Sequence, residues 1–184
     1  RSSDLHIAPY WDFNEGQMID IDIYSNLPRV ELFFNGSSLG EKCLDQKNDA
    51  VFYASYQLPY SKGTLRAVGY DKYGEVIAED VTGSFGDPVS ISLDTEYEKI
   101  NADGKDIQFV EITVLDKGGN EVRNARNRIN LTVTGGGRLV GMDNGDSTDY
   151  DPYQTDSRRL FSGKLIAAIV STCKAGEVKV KADS

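Results

Sequence analysis

Short apolar runs, most of them alternating with polar residues, recur along the chain at intervals of roughly ten residues, and a helical period is almost absent. Ile19, Ile21 and Ile23 alternate with Asp20, Asp22 and Tyr24, which predicts a strand with one buried apolar face and one solvated face. Val30 to Phe34 follows and is closed by Asn35-Gly36, the dipeptide best suited to a tight hairpin turn, with a returning strand around Leu39. Further strands are expected over Val51 to Leu58, Leu65 to Tyr70 and Val76 to Val81, the last two separated by the turn Asp71-Lys72-Tyr73-Gly74.

The pattern then restarts. Gly83-Ser84-Phe85-Gly86-Asp87-Pro88 interrupts any ladder, because two glycines and a proline cannot continue a central strand. We therefore expect a first domain over residues 1–84, a linker over 85–87 that lets the domains move as separate bodies, and a second domain over 88–184. The second domain reads as Val89/Ile91/Leu93, Val110/Ile112/Val114, a turn at Asp116-Lys117-Gly118-Gly119-Asn120, and Ile129/Leu131/Val133. Gly135-Gly136-Gly137 then breaks the sheet, and Leu139 to Met142 leads into a long polar loop, Asp143 to Ser157. Leu165 to Val170 is apolar on both faces, and its β-rich surroundings favour a strand over a short helix. Val178, Val180 and Ala182 alternate with Lys179 and Lys181 up to the end. The predicted fold is all-β: two antiparallel sandwiches in tandem, with a faint echo between the turns at Asp71 and Asp116.

Composition changes this picture little. The 184 residues are 39% hydrophobic and 10% aromatic, which suits half-exposed sheets. A net charge of -9 repels phosphate backbones and anionic membrane surfaces, and Arg123, Arg126 and Arg128 form a short solvated stretch without interleaved aromatics. Neither nucleic acid nor a membrane is an expected partner. No apolar run is long enough to span a bilayer, and the opening Arg1-Ser2-Ser3-Asp4-Leu5 has no signal-peptide pattern and reads as the start of an excised piece. Cys43 and Cys173 fall in different predicted domains, so a disulfide between them is not expected, and they make no metal-binding pair.

The first half carries a specific resemblance. His6-Ile7-Ala8-Pro9-Tyr10-Trp11, Ile23-Tyr24-Ser25-Asn26 and Val30-Glu31-Leu32-Phe33-Phe34-Asn35-Gly36-Ser37-Ser38-Leu39-Gly40 resemble the domain that follows the catalytic barrel in bacterial β-galactosidases of glycoside hydrolase family 2. In the second half, Asn101-Ala102-Asp103-Gly104, Val114-Leu115-Asp116, Thr134-Gly135-Gly136-Gly137, Asp143-Asn144-Gly145-Asp146 and Leu160-Phe161-Ser162-Gly163 are similar to the terminal immunoglobulin-like domain of such enzymes, and in part to bacterial adhesin modules. The resemblance implies a non-catalytic C-terminal accessory region that braces or shapes the barrel of the same polypeptide, in a parent that is secreted, periplasmic or on the cell surface. It also implies one further strand after Asp183-Ser184, which would leave the last strand here as an exposed edge and the second domain prone to self-association.

No catalytic residue transfers. Retaining glycosidases need two carboxyl groups about 5–5.5 Å apart, one with a raised pKa, and a barrel takes about 250 residues of alternating strand and helix. No cofactor or metal site is expected. The loop carboxylates Asp143, Asp146, Asp149, Asp151 and Asp156 are of the type that binds calcium, yet the spacing is wrong for an EF-hand, with Gln154 where its last ligand should be. Tyr10, Trp11 and Phe13 beside Asp12 could stack on a sugar face, but an aromatic cluster at the start of such a domain more often plugs a small core or packs on the preceding domain. Tyr53, Tyr56, Tyr60, Tyr70 and Tyr73 are expected to include some outward-facing rings, and the sole histidine, His6, reads as a turn or interface residue. Alternatives to the accessory role are a carbohydrate-binding module and an adhesin-like surface module.

Overall fold

A computed structural model describes residues 4–44 and 52–184. Val51, the expected start of a strand, lies outside the described residues. Among them there is no helix, and the strands gather into two compact units, Arg1–Phe85 and Gly86–Ser184.

The first unit is built from β1 (Leu5–Ala8), β2 (Met18–Ser25), β3 (Arg29–Phe34), β4 (Ser37–Cys43), β5 (Tyr53–Pro59), β6 (Thr64–Tyr70) and β7 (Val76–Gly83). A three-stranded sheet in the order β1-β2-β5 faces a four-stranded sheet in the order β4-β3-β6-β7, all pairings antiparallel. The alternation in β2 buries Ile19, Ile21 and Ile23 against Val30 and Leu32 of β3 and Leu65 and Ala67 of β6. Asn35 and Gly36 both take positive φ, 48° and 82°, as a twist-matched hairpin turn requires.

β1 was not evident in the alternation. His6 lies in this strand, opposite Tyr24 of β2, with Nδ1 3.3 Å from Asp80 Oδ2, so it is neither a turn residue nor solvent-isolated.

The second unit contains β8 (Ser90–Thr95), β9 (Ile107–Leu115), β10 (Arg128–Gly135), β11 (Gly137–Asp143), β12 (Ser157–Arg159), β13 (Lys164–Ser171) and β14 (Val178–Asp183). Its sheets run β11-β13-β9-β8 and β12-β10-β14, again antiparallel. The apolar run Leu165 to Val170 is a strand, β13, paired on both sides; Leu165, Ala167 and Ile169 are buried on one face, while on the other Val170 is buried and Ile166 is exposed. Gly141 sits at a bulge in β11 where a Cβ would overlap the Tyr153 carbonyl, so only glycine lets the long polar loop fold back here.

The echo between the two halves is a shared local structure. Asp71 accepts hydrogen bonds from the N–H groups of Tyr73 and Glu75 at 2.8 and 2.9 Å, and Asp116 from those of Gly118 and Asn120, both at 2.8 Å. In each turn the glycine, Gly74 or Gly119, takes positive φ and donates its N–H to the aspartate carbonyl. Cys43 and Cys173 are both free and exposed.

Candidate functional site

The aromatic trio after β1 is divided by burial. Trp11 is fully buried, its ring centroid 5.1 Å from Tyr60, 5.9 Å from Phe34 and 6.3 Å from Phe13, while its Nε1–H donates to the Ser61 carbonyl at 3.0 Å. It is a core plug with its one polar atom satisfied. Phe13 is half-buried. Tyr10 is 38% exposed and stacks on Phe13 at 5.9 Å with the rings 7° from parallel, so the face open to an outside partner is that of Tyr10.

A second aromatic surface emerges only from strand register. Tyr24 of β2 and Tyr53 of β5 stand directly opposite each other on the outer face, rings 5.8 Å apart, both nearly half exposed. Along the same face Ser55 donates to Asp22 at 2.5 Å and Gln57 to Asp20 at 2.6 Å. Of the other tyrosines, Tyr56 and Tyr60 are buried and Tyr73 is exposed. Burial, with Glu31 and Glu41 nearby, pushes the Tyr56 hydroxyl up to about 12.

The acidic loop of the second unit is organised by a residue that the alternation pattern does not mark. Arg158 of β12 is 1% exposed, and its Nη1 donates to the carbonyls of Met142 (3.2 Å), Asp151 (3.2 Å) and Pro152 (3.4 Å). Its Nε lies 3.2 Å from Asp149 Oδ2, and the guanidinium sits over the Tyr153 ring at 5.0 Å. The loop is thus wrapped around an internal cation. Four of its carboxylates are engaged as follows: Asp143 by the Gly145 N–H, Asp146 by the Thr148 N–H and hydroxyl, Asp149 by the Asp151 N–H and Asn144, and Asp151 by Arg128 of β10 at 2.7 Å. The Thr148 hydroxyl and N–H lower the Asp146 pKa, and the Asp151 N–H is the chief cause of the lowering at Asp149. Such carboxylates stay ionised, whereas a glycosidase acid must hold its proton near neutral pH. Among the described residues there is no group of three or more His, Cys, Asp or Glu side chains placed to hold a metal ion.

The segment joining the units is held within each of them. Phe85 is buried in the first unit with its ring 5.9 Å from Tyr10. In the second unit, the Gly86 N–H donates to Asp116 Oδ2 at 2.8 Å, and this bond, with those from Asn120, holds the Asp116 pKa at about 2.

Residues 91–184 match the family model described as glycoside hydrolase family 2 C-terminal domain 5, and residues 16–78 match a domain of unknown function, DUF4982. A β-galactosidase, BoGH2A, from Bacteroides ovatus is 35% identical over 181 residues, covering 98% of this chain and 21% of that protein. A putative β-glucuronidase from Formosa agariphila is 31% identical over 169 residues, covering 87% of this chain and 16% of its own length. Among solved structures, a β-glycosidase from Bacteroides vulgatus superposes on the whole chain with a TM-score of 0.90 at 32% identity, over 23% of its own length. The chain therefore spans about a fifth of the length of the relatives that it matches.

Proposed function

The chain belongs to glycoside hydrolase family 2, as part of the C-terminal region of such a protein, and we propose that it is an accessory module without chemistry of its own, bracing or shaping the catalytic domain of a β-galactosidase-like enzyme. The observation that carries this reading is the pairing of near-complete coverage of this chain with 21% coverage of the Bacteroides ovatus β-galactosidase. A glycosidase needs its acid and nucleophile on facing positions of one cleft. The charge pattern here supports a different role, because the loop carboxylates Asp146 and Asp149 are pushed toward the ionised form chiefly by donors within their own loop, and the turn carboxylate Asp116 by the Gly86 N–H and Asn120.

The parent then hydrolyses β-glycosidic bonds, with β-galactosides as the leading substrate class and β-glucuronides second, as the names of the relatives suggest. Tyr10, backed by Phe13 and the buried Trp11, is the contact we assign to the neighbouring domain of the parent, and the two compact units are read as separately folding domains joined near residues 85–87.

The test compares turnover of nitrophenyl β-galactoside and nitrophenyl β-glucuronide by the full-length polypeptide and by this 184-residue chain, both freed of host enzymes. The reading expects hydrolysis by the first and none by the second. Turnover by the short chain, abolished by a substitution within it, would overturn it.

A further inference from the structure

The outer faces of the two sheets in the first unit are different in kind. On β3, β4, β6 and β7 exposed charges are paired among themselves, Arg66 with Glu79 through bonds of 2.9 and 2.5 Å and Arg29 with Glu41 at 3.1 Å. On β1, β2 and β5 register sets His6, Tyr24 and Tyr53 in one row across the sheet, followed by the pairs Asp22/Ser55 and Asp20/Gln57. These positions face outward because Ile19, Ile21 and Ile23, which alternate with them in β2, are buried in the core. Alternate residues of a strand are about 6.6 Å apart, so the run from Tyr24 to Asp20 is about 13 Å long.

At its Tyr24 end the face opens into a cleft of about 580 Å³, lined also by Asp4, His6, Asn26, Phe52 and Glu79. A cleft of this size is in the range that holds a small ligand. Tyr24, Tyr53 and Phe52 are each about half exposed, so the run and the cleft share an aromatic surface that the core does not use.

Ring surface and carboxylate acceptors along one line define a ligand. A tyrosine ring presents a negative π-face, onto which the slightly positive axial C–H groups of a sugar ring pack. Each carboxylate has about four acceptor sites. Asp22 uses one for the Ser55 hydroxyl at 2.5 Å and Asp20 one for the Gln57 amide at 2.6 Å, which fixes both carboxylates in place and leaves acceptor sites for hydroxyl donors. Among the described outward positions of this sheet there are two carboxylates and no lysine or arginine, so a sugar carrying its own carboxylate is repelled. A protein partner fits poorly: interface cores are depleted in aspartate, and a dry surface closed over Asp20 and Asp22 would strip water from two anions without supplying a cation. A glycan brings hydroxyl donors and leaves water along its edges.

We propose that the outer face of β1-β2-β5 binds a neutral, extended glycan chain of the β-1,4-linked type, with one sugar ring packed on the Tyr24–Tyr53 pair, its neighbours hydrogen-bonded to Asp22 and Asp20, and its end in the cleft. The 13 Å run, with the cleft beyond it, gives room for more than one sugar residue. This inference rests on register, exposure and side-chain chemistry and does not depend on the enzymatic reading.

The experiment is calorimetric titration of the 184-residue chain with β-1,4-linked hexasaccharides of glucose, mannose and xylose, and with the β-1,4-linked mannuronate hexamer, which carries a carboxylate on every ring. The expected result is saturable binding of at least one neutral probe, with the mannuronate hexamer at least about tenfold weaker than that probe. Tyr24→Ala and Tyr53→Ala should each weaken the neutral probe by at least about fivefold, and Trp11 emission shows that each variant is folded before it is titrated. Asp20→Asn, at an exposed position, should weaken it too and narrow the gap to the mannuronate hexamer; it carries the test if a tyrosine variant fails to fold. Absence of saturable binding by all three neutral probes overturns the proposal. So does equal or tighter binding of the mannuronate hexamer, or neutral binding that the folded variants all leave unchanged. The same titration of the full-length polypeptide should give the same affinity, and loss of binding there would mean that another domain covers this face, which overturns the proposal as well.

Discussion

Replacing Arg158 with methionine keeps most of the side-chain volume and removes the cation around which the acidic loop is wrapped. Three backbone carbonyls, those of Met142, Asp151 and Pro152, lose their donor in a place where the guanidinium is 1% exposed. Nη1 carries two N–H groups that the three carbonyls share, and a buried hydrogen bond left half-made costs on the order of 1 kcal/mol or more, so the predicted loss is about 2 kcal/mol. For a unit the size of Gly86–Ser184 this lowers the melting temperature by about 8 °C or more. The chain offers a built-in control. Its single tryptophan, Trp11, lies in the core of the first unit, so its emission follows that unit alone, whereas circular dichroism follows both. In the Arg158→Met variant the dichroism transition of the second unit should move down by about that amount while the Trp11 transition stays within experimental error. Adding Asp149→Ala to it should cost less than the two single losses combined, because both remove the same ion pair. A loss below about 1 kcal/mol would mean that water replaces the guanidinium at little cost and that the loop is not held from within. Movement of both transitions together would refute the proposal that the units unfold separately.

Ile21→Ala, at a fully buried position in β2, should destabilise the first unit by about 2–5 kcal/mol, read as a lower urea midpoint of Trp11 fluorescence with the second unit unchanged. Asp116 has a folded pKa of about 2, below its ordinary 3.8, so its contribution is complete above about pH 4 and is lost as pH falls through 2. The second unit should therefore weaken in urea melts over that acid window, and Asp116→Asn should flatten the dependence. Tyr56 has the opposite sign: its folded pKa of about 12 lies above its ordinary 10.0, so the stability it confers is full below pH 10 and fades as pH rises toward 12. The urea midpoint of Trp11 fluorescence should fall over that alkaline range, and less so in Tyr56→Phe.

Much of the strand pattern was legible because alternation reports burial directly. Ile19, Ile21 and Ile23 announced β2, and Asn35-Gly36 announced a hairpin whose two positive φ angles only such residues accept. The Asp-initiated turns at Asp71 and Asp116 were visible as an echo, and the structure gives that echo a cause in their common hydrogen bonding. β1 and β12 escaped notice because four and three residues are too short for a period to declare itself. Arg158 escaped for a different reason: a charged residue in a polar stretch gives no local sign of burial, and its partners at Met142, Asp149 and Asp151 are brought to it by the fold-back at Gly141. The Tyr24–Tyr53 pair depends on register between strands nearly thirty residues apart, which alternation within either strand does not specify. Trp11 shows the limit of composition: an aromatic run beside Asp12 favours packing over a surface platform without saying which ring is enclosed, and the closure of Phe34 and Tyr60 over Trp11 makes that ring the core plug.

The central claim is that this region supports a catalytic domain without taking part in its chemistry. Its most direct test is to measure kcat and the thermal inactivation half-life of the full-length polypeptide against a version from which these 184 residues are deleted. The account predicts that any folded material of the shortened protein retains turnover of its β-glycoside but inactivates markedly faster, or that the shortened protein fails to fold at all. A shortened protein that is as long-lived as the full-length one contradicts the bracing role, and one that is stably folded yet wholly without turnover would place part of the chemistry in this region.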